Sequence, residues 1–272
     1  MMTGDPQQGA RNLVLEVSGT VVWLRRIAAL VCGTLMSMPL TAAEPRDEIQ
    51  AGKEITAIYL GAAPLLEDAA AQRYVSLVGR HLADQSSRPA LPWTFGILAT
   101  ESVNAFSAPG GFVLLTQGLM DLLDTEDELA AILAHEIAHI LRKHHWAIIQ
   151  KQQNAAALVA RMQGNMKSQN ALFSEMNSLF SDMMTRGLDK EAEFEADRDA
   201  VVLAANGGYD SSAMLSVLEK LDGLKTDSAE TQLLFQTHPS PLQRMDQLTL
   251  AITPEVEGAA AATNIPLYRG LR

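Results

Sequence analysis

His135, Glu136 and His139, in the string H-E-I-A-H, carry the most chemistry for their spacing in this 272-residue chain. At about 100° per residue along a helix, the two histidines differ by about 40° and stand one turn apart on one face, so both imidazoles can reach one metal ion. Glu136 lies beside them, too far round to ligate but near enough to take a proton from water activated by that ion. A buried helix whose histidines merely find hydrogen bonds explains the string badly. Ile132, Leu133, Ile137 and Ile140 surround it, and two imidazoles and a carboxylate in apolar company need partners. Cys32 is the only cysteine, so a metal site here must be completed by His, Asp or Glu.

Several residues compete to complete it. His145 falls in the register of a third histidine ligand of the metzincin type, but Arg142 stands where that pattern has glycine. Without the glycine the helix has no reason to break, and His145 is expected about 240° round from His139, pointing away. His144 and His145 then read as cations near a helix C-terminus. The later string E-A-E-F-E-A-D-R, Glu191 to Arg198, offers carboxylates instead. Glu193 and Asp197 are four apart on one face, so Glu193 can complete a His2Glu set while Asp197 accepts the second N–H of a ligating histidine. Glu191 and Glu195 remain competing choices, and a solvated acidic face pairing with Lys190 and Arg198 also accounts for the string.

Three further positions stand out. His238, in T-H-P-S-P, is the candidate donor to a developing oxyanion, or a ligand that blocks the site in a resting enzyme. Arg244 is out of place as a cation in the first turn of a helix, and is expected to brace an active-site carboxylate or loop, with a solvated surface arginine as the alternative. The run Ala108 to Phe112, A-P-G-G-F, is expected to lead into an edge strand along which an extended substrate pairs, with Gly110, Gly111 and Phe112 as substrate-binding positions.

These strings follow one order: N-A-F-S-A-P-G-G-F, H-E-I-A-H, E-F-E-A-D and T-H-P-S-P-L-Q-R. In this set the chain resembles the zinc metallopeptidases grouped with HtpX, BepA and the type I CAAX prenyl proteases, over roughly Leu66 to Leu248. The resemblance implies one Zn2+ per chain on His135, His139 and Glu193, with Glu136 and His238 catalytic and Asp197 in support. It implies a gluzincin-type α+β fold, mostly helical, with a small β-sheet beside the active-site helix. The implied activity is that of an endopeptidase acting on unfolded or misassembled cell-envelope proteins. Exported, soluble BepA-like members are the nearest kind, here without their repeat domain. The alternative is a zinc-stabilised, chaperone-like binding module that holds apolar segments on the Met-rich stretch Gln152 to Leu188 and needs no base at Glu136.

The elements that must position these residues follow from periodicity and punctuation. Amphipathic helices are predicted over 44–62 and 66–85, and strands over 93–100 and 112–116 with a turn at Ser107 to Gly111. Thr125 and Glu128 form a capping box that opens a helix from Glu126 to about Gln150. Helices follow over 190–205, ended by Asn206-Gly207-Gly208, and over 211–224. Ser240-Pro241 opens a last helix through Ile252.

Composition bounds the rest. With 47% hydrophobic residues the chain can bury a core, and a net charge of −11 argues against nucleic-acid partners. Nothing repeats at a fixed period, so a single metallopeptidase domain over 44–272 is expected after a leader and signal peptide over 1–43. The signal rests on Arg25 and Arg26, the fourteen-residue apolar run Ile27 to Leu40, and small residues before Glu44. Export to the periplasm or envelope follows. The expected partners are polypeptide substrates, with no span in the mature chain and at most peripheral contact with a membrane. Cys32 is poorly placed for lipid anchoring, a minority option.

Overall fold

The computed structural model describes residues 46–162, 188–224 and 228–252, all within the unit Glu44–Arg272. The expected signal segment with Cys32, and most of the Met-rich stretch, lie outside the described residues. Helices α1 (Arg46–Ala62) and α2 (Ala69–Asp84) lead into strands β1 (Thr94–Leu98), β2 (Ala105–Ala108) and β3 (Phe112–Thr116). Helices α3 (Gln117–Leu122), α4 (Glu126–Leu141), α5 (His144–Met162), α6 (Lys190–Asn206), α7 (Ala213–Asp222), α8 (Gln232–Thr237) and α9 (Pro241–Ala251) follow. The fold is α+β and mostly helical, as expected. No helix among the described residues is long and apolar enough to cross a membrane.

Helix α4 is the spine. Every residue from Asp127 to Ile140 is buried, because α2, α6, α7 and the sheet all pack around it. Its start is fixed by the predicted capping box: Glu128 N–H donates to Thr125 Oγ1 at 3.2 Å and Thr125 N–H to Glu128 Oε2 at 3.4 Å. Such a cap contributes about 1 kcal/mol. Leu129, Leu133 and Ile137 then carry the apolar core through the middle of the molecule.

The other end of α4 departs from expectation. The helix does not run to Gln150 but stops at Leu141, and α5 begins afresh at His144. Lys143 makes the break by adopting φ +60°, a left-handed conformation usually left to glycine. Arg88 helps to hold this corner, donating to Ile140 O at 3.2 Å while pairing with buried Glu48 at 2.9 Å. The last turn of α4 is thereby tied to α1.

The sheet corrects a second expectation. Its order is β1-β3-β2, with β1 parallel and β2 antiparallel to β3. The strand that follows Gly110-Gly111 is therefore central, and its backbone is taken on both sides. β2, too short and irregular (A-F-S-A) to be read as a strand, forms the edge instead. Gly110 and Gly111 have φ of +83° and +105°, and the turn they make is packed against Ile49 of α1 and against Trp93.

Candidate active site

Helix α4 presents His135, Glu136 and His139 from its packed interior, where they are 3%, 4% and 1% exposed. Helix α6 lies along α4 and supplies Glu193 and Asp197, at 0% and 1%. His135 Nε2 and His139 Nε2 face each other at 3.1 Å. The Glu193 carboxylate lies 3.6 Å from the first through Oε2 and 3.5 Å from the second through Oε1. His238, the residue that ends α8, joins from above, its Nδ1 2.7 Å from Glu193 Oε2. Ligand atoms of His135, Glu193 and His238 all lie within 4.8 Å of one another.

This set suits a divalent cation on three counts. Glu193 Oε1 is buried without a hydrogen-bond partner among the described residues, which is costly for a carboxylate oxygen unless a cation meets it. Three buried carboxylates, Glu136, Glu193 and Asp197, gather beside a single guanidinium, Arg244, so the site is rich in carboxylate charge that a dication would offset. Two imidazoles and a carboxylate are also the donors such ions accept.

The surroundings fix these candidate ligands. Asp197 Oδ1 accepts from His135 Nδ1 at 2.9 Å, leaving Nε2 to face the site. Arg244 is brought in by α9, which packs on α6 and α7, and grips Asp197 with Nε at 2.9 Å and Nη2 at 2.7 Å. That answers why a cation sits in the first turn of α9. It pairs with the carboxylate of Asp197. Burial would raise Glu193, but His238, His139 and His135 hold its carboxyl well below the usual range. Burial and Arg244 press His135 toward neutrality, and the carboxylates of Asp197 and Glu193 outweigh them, lifting it to about 9. Burial drives His139 well below its ordinary value.

The cleft over these groups is lined by Glu136, His139, Glu193 and His238, by Asn104 to Ser107 leading into and along β2, and by Tyr59 and His145. Burial, then Glu136, pushes the Tyr59 phenol up, so it is neutral. His145 is a correction. The break at Lys143 swings it into the cleft rather than away, and burial presses its pKa down to about 4. His144 is likewise lowered by burial, so neither is the C-terminal cation expected from a continuous helix. Gly110, Gly111 and Phe112 do not line the cleft. Of the acidic alternatives, Glu191 points outward to Arg198 at 3.1 Å, its side chain 66% exposed, and Glu195 meets His144 at 3.3 Å.

The family model for peptidase family M48 matches residues 69–252. The chain belongs to this family. It is 29% identical over 208 residues to the beta-barrel assembly-enhancing protease of Escherichia coli K12, a match covering 73% of this chain and 42% of that protein. It is 26% identical over 175 residues to the mitochondrial metalloendopeptidase OMA1 of Schizosaccharomyces pombe, covering 64% and 51%. It is 24% identical over 162 residues to the metalloprotease YcaL of Escherichia coli K12, covering 58% and 61%. The chain thus spans about half the length of these relatives. Membership of M48 carries with it a metal cofactor, and the matched residues contain every candidate ligand described above.

Proposed function

We propose that the chain is a zinc-dependent endopeptidase in which His135, His139 and Glu193 hold one Zn2+. The observation that carries this reading is the convergence of two buried Nε2 atoms on a buried carboxylate whose Oε1 has no hydrogen-bond partner among the described residues. When bound, such a cation supplies Lewis acidity toward a peptide carbonyl and lowers the pKa of water toward ~7. Glu136 takes the proton of the attacking water and passes it to the leaving amine. Asp197 holds His135 with its Nε2 toward the cation, and Arg244 holds Asp197. His238, now against Glu193, either donates to the oxyanion after swinging off that carboxylate or competes as a ligand while it stays. Among the described residues the free edge for an extended substrate is β2, with Ser107 Oγ buried in the cleft and lacking a hydrogen-bond partner there. This replaces Gly110, Gly111 and Phe112 in that role.

Residues 1–43 serve as leader and signal peptide and 44–272 as the peptidase domain, exported to the periplasm or envelope. The substrates are unfolded or misassembled envelope polypeptides, in keeping with the name of the 29% identical relative. Digestion of casein by the full chain, with and without chelator, tests the reading. Chelator-sensitive fragments are expected, together with loss of cleavage but retention of zinc in Glu136→Gln. Zinc-dependent suppression of aggregation without fragments would instead support a holding module, and turnover by zinc-loaded Glu136→Gln would remove Glu136 as the base.

A further inference from the structure

We propose that His144 and Glu195 are positioning residues that set the tautomer of His139. The inference rests on the metal-site reading above. His139 Nδ1 lies 2.9 Å from His144 Nδ1, and His144 Nε2 lies 3.3 Å from Glu195 Oε2. The rings of His139 and His144 stand edge to face, centroids 5.1 Å apart at 71°.

The chain of protons closes from either end. An ionised carboxylate only accepts, so His144 donates its Nε2–H to Glu195 and keeps Nδ1 as an acceptor. His139 then donates Nδ1–H to His144, and its Nε2 lone pair points at His135 and Glu193. From the other end, an imidazole that ligates through Nε2 must carry its proton on Nδ1, and His144 is the group within 3 Å to receive it. His135 is oriented by Asp197 and Arg244. His139 is oriented by His144 and Glu195, so each ligating ring has its own proton acceptor and each acceptor its own support.

The helix break is what builds this second support. On an uninterrupted helix, residues five apart lie about 140° round from each other and cannot pair. The left-handed Lys143 restarts the helix at His144 and folds that ring back onto His139. Glu195 comes from α6, two residues beyond Glu193, so the helix that supplies the carboxylate ligand also anchors the relay.

Two measurements on the full chain test the proposal. Long-range 15N–1H correlation spectra of the metal-free wild type should show His139 with a protonated Nδ1. Competition with a chromophoric chelator should show Zn2+ binding weakened about 10–100-fold in His144→Leu. His144→Asn, whose side-chain oxygen can accept at the same place, should recover most of the loss, which a merely space-filling role would not allow. Glu195→Gln should give a smaller loss, because an amide can also donate and permits the reversed tautomer. An unprotonated Nδ1 on His139 in the wild type, or a folded His144→Leu that binds zinc as tightly as the wild type, overturns the proposal. A wild type that binds no zinc defeats the metal-site reading instead, and the spectrum still decides the tautomer.

Discussion

Replacing Arg244 by Met should cost this protein several kcal/mol of stability, on the order of 3–5. The guanidinium is 5% exposed and makes two hydrogen bonds of 2.9 and 2.7 Å to Asp197, itself 1% exposed. Removing it leaves a buried carboxylate with His135 as its remaining partner and without its bidentate guanidinium, a loss on the order of 3–5 kcal/mol for a pair of this kind. For a domain of this size, each kcal/mol moves Tm by about 2–4 °C, so a fall of roughly 10 °C is expected. Arg244→Lys keeps the charge but not the fork, and should recover only part of it. Arg244→Met combined with Asp197→Asn should lose less than the sum of the single changes, because the stranded charge is gone. Thermal unfolding followed by circular dichroism, in excess chelator so that metal loss plays no part, gives these numbers. An Arg244→Met protein within about 1 kcal/mol of wild type would refute the reasoning that this buried pair is the brace of the site.

Two other outcomes follow from the same geometry. His145 has a folded pKa near 4, below its ordinary value, so between about pH 6.5 and 4 the unfolded chain binds a proton that the folded chain refuses. Its contribution is therefore present above 6.5 and lost as pH falls to 4, His139 being displaced in the same direction, and Tm measured against pH should fall less steeply in His145→Gln. Gly111→Val should destabilise by about 1–3 kcal/mol, since φ is +105° and the new Cβ would meet the Trp93 backbone at 3.3 Å. KM for peptides should stay unchanged in the fraction that folds. A raised KM with unaltered Tm would restore the turn to the substrate path.

What could be read in the sequence was what local chemistry dictates. The Thr125 capping box, the one-turn spacing of His135 and His139, and the Ser240-Pro241 helix start all depend on neighbours within a few residues, and all are found. The helix break was hidden because its usual signal is glycine, and here a lysine takes the left-handed conformation. That one substitution misdirected the reading of both His144 and His145. β3 was legible as a strand but not as a central one. Its run F-V-L-L-T, apolar on both faces, was the available sign of burial on both sides. Choosing among Glu191, Glu193 and Glu195 required knowing which face of α6 meets α4, and the partner of a helix is written elsewhere in the chain. Arg244 could be marked as misplaced from its helix position alone, whereas the carboxylate it grips lies 47 residues away.

Anomalous diffraction at the zinc edge, from crystals of the zinc-loaded chain, examines the metal cage most directly. One peak per chain is predicted, about 2.0–2.2 Å from His135 Nε2, His139 Nε2 and a Glu193 carboxylate oxygen. A peak held by other side chains, or one that leaves Glu193 beyond coordination distance, would contradict the account.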